Sequence, residues 1–137
     1  IKKARIAPMP GNVDLAHIAQ HDGRFTVEGF QFIAEALGRA ADLFGKRELQ
    51  GSARHLTAVE LVAGAVDLAA ERWSLLGDLV LANWGIRSPG DIGAITFALI
   101  EHGIFSKEAS DRIEDFQAAE KLEIAVAQRV RLRVSQL

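Results

Sequence analysis

Apolar residues recur every three or four positions along most of this chain, which is the spacing of one face of an α-helix. The clearest stripe consists of Phe30, Ile33, Leu37, Ala41 and Phe44. Thr26 stands before this stripe as an N-cap, and Gly45 follows it as a stop signal. The pattern therefore predicts a long amphipathic helix between Thr26 and Gly45.

A second helix is predicted to begin at a capping box, in which Thr57 and Glu60 each accept a hydrogen bond from the other's backbone N–H. Its apolar positions are Val59, Val62, Val66, Ala69 and Trp73. Ser74 marks a break, after which residues 75–83 are predicted to form another helix.

A glycine followed by an isoleucine predicts a helix end at two places, Gly85-Ile86 and Gly103-Ile104. A glycine just past a helix can adopt the left-handed conformation, and the apolar residue after it packs back onto the last turn. We expect each isoleucine to pack on the leucine five positions earlier, at Leu81 and Leu99.

Polar residues mark the starts of two further helices. Asn12 is expected to cap a short helix over residues 13–21. Ser88 is expected to cap a helix that has Pro89 at its first position, with Asp91 as a shortened capping-box acid.

The last twenty residues fit two conformations. Apolar residues alternate with polar or small ones in the manner of a half-buried strand at Leu122, Ile124, Val126, Val130, Leu132 and Val134. A helical stripe also exists, at Leu122, Val126, Val130, Val134 and Leu137. Helix is favoured because a lone strand would have no partner in an otherwise helical chain.

These elements predict an all-α protein, a compact bundle of five to six helices. Residues 1–11 are predicted to be an extended basic arm, 12–116 the helical domain, and 117–137 a helical or extended C-terminal tail. At 137 residues the chain is long enough for one such domain.

One set of residues extends over two thirds of the chain: Gly29-Phe30-x-Phe32, Glu35-Ala36-Leu37, His55-Leu56-Thr57, Glu60-Leu61, Trp84-Gly85-Ile86, Asp91-x-Gly93, Phe97, Glu101-x-Gly103, and Asp111 followed by Glu114-Asp115-Phe116. In these residues the chain resembles a conserved bacterial protein family found mainly in planctomycetes and verrucomicrobia. It departs from the family at Gly29, where alanine is more usual, and in its long tail. The resemblance implies a small helical protein and carries no catalytic residues.

Composition excludes several functions. The chain has no cysteine, which excludes disulfides, thiolate zinc sites and iron–sulfur clusters. Its net charge of −2 supplies no overall attraction for nucleic acid. No apolar run is long enough to span a membrane, and no phosphate loop, nucleophile motif or dinucleotide fingerprint occurs. We therefore expect a cytoplasmic protein with no cofactor and no catalytic residues.

Two histidines one helical turn apart are the only candidate metal ligands. His17 and His21 could face one ion, with Asp14 one turn earlier. Because this spacing is unspecific, solvent-facing side chains at a helix end are the stronger interpretation, and no metal is predicted.

Candidate partner-binding residues lie at three places. Trp84 and Arg87 stand at the stiff turn between two helices. Asp111 and Asp115 surround Phe116, which could anchor a partner, although a phenylalanine that fills the core is the favoured interpretation.

The third place is the tail, where Arg129, Arg131 and Arg133 alternate with apolar residues. Together with the basic arm they could contact RNA or an acidic protein. No aromatic residue lies between them to stack on bases, which makes nucleic-acid binding unsupported.

The leading hypothesis is a non-enzymatic helical module that binds another protein, as a small accessory subunit or adaptor of a larger bacterial assembly. One alternative is an RNA- or ribosome-associated factor that uses the basic termini. A second alternative is a small metal-binding protein or enzyme centred on His17 and His21.

Overall fold

The computed structural model describes residues 14–49, 55–105 and 112–137, and all regular structure within these ranges is helical. The α-helices are α1 (Leu15–Asp22), α2 (Val27–Leu43), α3 (Ala58–Trp73), α4 (Gly77–Asn83), α5 (Pro89–Glu101) and α6 (Leu122–Ser135). Two 3₁₀ helices span Ser74–Leu76 and Ile113–Ala118. The predicted all-α bundle is confirmed, while the basic arm at 1–11 lies outside the described residues.

The helix pair α2–α3 forms the centre of the bundle. Helices α1 and α5 pack on α2, and helices α4 and α6 pack on α3. The largest fully buried apolar side chains come mainly from α2 and α5 and include Phe30, Phe32, Ile33, Leu37, Ile92, Ile95 and Leu99, joined by Leu81 of α4. These residues form a single core.

The predicted helix starts and ends are confirmed at most positions. Thr57 accepts from the Glu60 N–H at 3.1 Å and Glu60 accepts from the Thr57 N–H at 3.0 Å, which completes the capping box. The N–H of Ile86 donates to the Leu81 carbonyl at 2.9 Å, and the N–H of Ile104 donates to the Leu99 carbonyl at 2.8 Å. All four of these apolar residues are buried.

Two predicted helix starts differ from the structure, and at α5, where the predicted cap Ser88 and first residue Pro89 are confirmed, the contact of Asp91 differs. Helix α1 begins at Leu15 behind Asp14, whose carboxylate accepts from the backbone of Ala16 and His17, and the predicted cap Asn12 lies outside the described residues. The helix predicted over 75–83 is divided into a 3₁₀ turn and α4. The Asp91 carboxylate accepts from the N–H of Arg87, one residue before the cap, at 2.9 Å.

Some residues of the predicted apolar stripes are exposed. Phe44, which ends α2, and Val59, in the first turn of α3, both face solvent. In the tail, the predicted helix is confirmed, but only Leu122 and Val126 of its stripe are buried. The boundary predicted after residue 116 falls inside the 3₁₀ helix Ile113–Ala118.

Candidate functional site

An exposed apolar cluster lies at the corner between α3 and α4. Leu75, Leu76 and Leu79 are 61%, 60% and 61% exposed, and they lie within five residues of one another along the chain. We call these three residues the leucine corner. Large apolar side chains grouped in this way on a protein surface are typical of an interaction site.

The backbone at the leucine corner is strained. Ser74 has φ 52° and ψ −133°, and it is the sole non-glycine residue with positive φ in the part of the chain that the structure describes. Such a conformation costs on the order of 1–3 kcal/mol and persists only where surrounding contacts hold it. Here it ends α3 and begins the 3₁₀ helix that carries Leu75 and Leu76.

An aromatic cluster lies next to this corner. The ring centroids of Trp73 and Trp84 are 5.4 Å apart and nearly perpendicular, and the Phe32 ring lies 5.5 Å from Trp73. The Trp84 carbonyl also accepts from the N–H of Thr26 at 3.2 Å. Trp84, a candidate partner-binding residue, is therefore half-buried and part of the packing that fixes the corner.

A second apolar surface is an open groove between the end of α2, the first half of α3, and α6. Its volume is about 620 Å³. Exposed apolar residues on its walls are Leu43, Phe44, Val59 and Leu132. The groove exists because α6 packs against the second half of α3 and leaves the first half of α3 uncovered.

A buried carboxylate connects α6 to the rest of the bundle. Asp67 of α3 is 1% exposed and binds three arginines. It accepts from Arg39 at 2.6 Å, from Arg129 at 2.7 Å and from Arg133 at 2.7 Å. Glu71, one turn later, also binds Arg39 and Arg133. We call these five residues the Asp67 cluster.

The Asp67 cluster keeps its central carboxylate ionised. Burial, the largest single influence, would raise the pKa of Asp67, but hydrogen bonds from Arg129, Arg39 and Arg133 together lower that pKa below 3.8. An unpaired carboxylate at this depth would be strongly unfavourable. The three arginines are therefore structural partners of one acid.

The structure divides the tail arginines by the faces of α6. Arg129 and Arg133 lie one turn apart and point inward to Asp67, whereas Arg131 lies on the outer face and is exposed. Two of the three cationic groups predicted to bind a partner are thus paired inside the molecule. The alternation along the sequence does not survive in the helix.

The remaining predicted partner residues are dispersed. Arg87 is exposed beside Trp84, and Asp115 is exposed and accepts from the backbone of Arg112 at 3.3 Å. Phe116 is buried, with its ring 6.4 Å from that of Phe97, so it lacks the exposure that an anchor for a partner needs. Asp111 lies outside the described residues.

The two candidate metal ligands both face solvent. The Asp14 carboxylate is engaged at the start of α1, and the His21 ring lies 6.0 Å from that of His102. Within the described ranges, no three His, Asp, Glu or Cys residues are grouped so that they could hold a metal ion.

None of the described helices has the length and apolar character needed to cross a bilayer.

Comparison of the chain with protein-family models, curated proteins and solved structures finds no match. The resemblance to the planctomycete and verrucomicrobial family stays a prediction.

Neither the leucine corner nor the role of Asp67 was predicted from the sequence. A signal for Asp67 exists, because it is the one charged residue in the apolar run from Leu61 to Ala70. The pair Arg129 and Arg133, spaced by one helical turn, is its counterpart. For the three leucines, the polar break at Ser74 predicted that they follow the end of a helix, but it did not predict that they are exposed.

Proposed function

We propose that the protein is a non-enzymatic helical module that binds another protein through the leucine corner, as a small accessory subunit or adaptor of a larger bacterial assembly in the cytoplasm. The observation that supports this most is the exposure of Leu75, Leu76 and Leu79, each at about 60%. Full burial of a leucine contributes on the order of 1.5–3 kcal/mol, so an uncovered group of three is a strong contact for a partner.

The rigidity of the corner supports the same proposal. The leucines follow the strained Ser74, and Trp73, which directly precedes Ser74, packs edge to face on Trp84. A surface that is ordered before binding loses little conformational freedom when a partner arrives. The partner surface that fits is apolar and able to receive three neighbouring leucine side chains.

An RNA-associated function has less support. Arg129 and Arg133 hold Asp67, which leaves Arg131 as the exposed arginine among the three in the tail. Phosphate binding needs several free cationic groups on one face.

Site-specific crosslinking tests the proposal. The full chain carries a photo-crosslinking amino acid in place of Leu79, and the matched control carries it in place of Val59, which is 64% exposed but lies at the groove. We expect one protein to crosslink in stoichiometric amount from position 79 and not from 59, with or without nuclease. Leu75→Ser should abolish that crosslink without changing helix content.

Three results would contradict the proposal. Equal crosslinking from both positions would indicate unspecific apolar contact. Crosslinking from position 59 alone would move the binding site to the groove. Loss of the crosslinked product after nuclease treatment would favour the RNA-associated function.

A further inference from the structure

Helix α6 packs on α3, on the 3₁₀ helix Ser74–Leu76 and on α4, and two of its 14 residues are fully buried. In its first half, Leu122 and Val126 are buried in the core. In its second half, Arg129 and Arg133 bind the Asp67 carboxylate. Beyond them the helix is exposed up to its end, which makes the ionic contacts the last attachment of α6.

The backbone before α6 is extended, and the first turn of this helix is not capped by a side chain. Ala119 and Lys121 are extended, with ψ 159° and ψ 141°, and no side chain caps the first turn of the helix. Helix starts that lack a cap leave backbone N–H groups to solvent and are less stable.

One flank of α6 is uncovered. The groove of about 620 Å³ separates Ala125 and Leu132 of α6 from Ala63 and Val66 of α3. The helix therefore gains little apolar contact on this side. By contrast, α2 and α5 each bury a large part of their apolar residues in the core.

From these observations we propose that α6 is a latch: it leaves the bundle as a unit while α2, α3 and α5 stay folded, and the contacts of Arg129 and Arg133 with Asp67 hold it closed. Opening uncovers the apolar side of α3 next to the groove, with an ionised carboxylate at its centre. This latch does not require the proposed partner surface, since Leu75, Leu76 and Leu79 are exposed with α6 in place. The two elements that carry these leucines, the 3₁₀ helix Ser74–Leu76 and α4, nevertheless contact α6.

The charged groups around Asp67 define how the latch can be weakened. They are Arg39 from α2, Glu71 from α3, and Arg129 and Arg133 from α6. Arg133→Gln removes the contacts of this side chain with Asp67 and Glu71 but leaves Arg39 and Arg129 on the Asp67 carboxylate. This substitution should therefore open the latch more often without leaving a buried charge unpaired.

Native-state hydrogen exchange of the full chain, followed by mass spectrometry, tests the latch. We expect backbone amides of α6 to exchange faster than those of α2 and α3, because a local opening needs less free energy than global unfolding. Arg133→Gln should speed exchange in α6 by about tenfold or more, the effect of losing one charge-assisted hydrogen bond, with no change in α2 or α3.

The matched control is Arg47→Gln, which removes an ion pair with Asp42 at the end of α2. It should leave exchange in α6 unchanged. If Arg133→Gln speeds exchange in α2, α3 and α6 to the same degree, α6 opens only with the whole molecule and the latch is overturned. Unchanged α6 exchange in both Arg133→Gln and Arg129→Gln would overturn it as well.

Discussion

Gly64 of α3 faces Ala36 of α2 so closely that a Cβ atom on Gly64 would lie 2.7 Å from the Ala36 carbonyl oxygen. It would also lie 2.7 Å from the Ala40 Cβ. Real Cβ atoms do not approach backbone atoms this closely, and neither neighbour is a flexible side chain. The glycine therefore sets the distance between the two central helices.

Gly64→Ala should destabilise the fold by about 1–3 kcal/mol, because the two helices must separate to admit a methyl group. The gain in helix propensity, about 1 kcal/mol, does not offset this cost. Urea unfolding followed by circular dichroism measures the difference. In the control Gly90→Ala, the new Cβ would be 3.5 Å from the Ser88 Oγ, an ordinary contact, so stability should hold or rise. Equal effects of both substitutions would contradict the close approach of α2 and α3.

The two glycines that end α4 and α5 should differ in their response to substitution. Both have positive φ, 95° at Gly85 and 78° at Gly103, so alanine at either position costs about 1–2 kcal/mol of backbone strain. At Gly85 the new Cβ would also lie 2.7 Å from the Arg24 carbonyl oxygen, whereas at Gly103 it meets nothing within 4 Å. We therefore expect a lower melting temperature for Gly85→Ala than for Gly103→Ala. The reverse order would show that the turn at Gly85 can relax.

Removal of the charge at Asp67 should cost much more than removal of a surface acid. Asp67→Asn leaves Arg39, Arg129 and Arg133 without their common acceptor, and breaking a buried ion pair costs about 3–5 kcal/mol. Asp42→Asn, at the exposed pair with Arg47, should change the free energy of unfolding very little. Chemical denaturation of both variants provides the test, and a mild effect at Asp67 would mean that water replaces its partners.

Acid should remove the same contribution. The pKa of Asp67 is lowered in the folded state, so its stabilisation is fully present above the unfolded pKa near 3.8 and is lost as the pH falls towards the lower folded pKa. Other carboxylates titrate in the same range, including Asp22 and Glu60. The difference in unfolding free energy between wild type and Asp67→Asn isolates one group, and it should shrink below pH 3.8. A difference that stays constant between pH 6 and pH 2.5 would contradict the lowered pKa.

Local signals in the sequence predicted the helix boundaries well. The capping box at Thr57 and the glycine turn before Ile86 depend on contacts within five residues, which a single sequence records directly. The cluster around Asp67 could not be predicted in this way, because its partners Arg39, Arg129 and Arg133 lie 28, 62 and 66 residues away. The packing of α2 and of α6 on α3 brings them together.

Exposure was harder to predict than helix position. A helical stripe shows which residues share a face, but the neighbouring helices decide how much of that face is covered. Phe44 belongs to a predicted apolar stripe and Leu76 stands in an apolar segment, yet both face solvent. By contrast, the favoured interpretation of Phe116 as a core residue is confirmed.

The aromatic contact below the leucine corner has an optical consequence. The protein has two tryptophans and no tyrosine, and both indole rings sit at the junction of α2, α3 and α4, with centroids 5.4 Å apart. Nearly all near-ultraviolet absorption and emission of the molecule therefore originates from one point of the fold. Its intrinsic fluorescence is a spectroscopic reporter of that junction, with no label required.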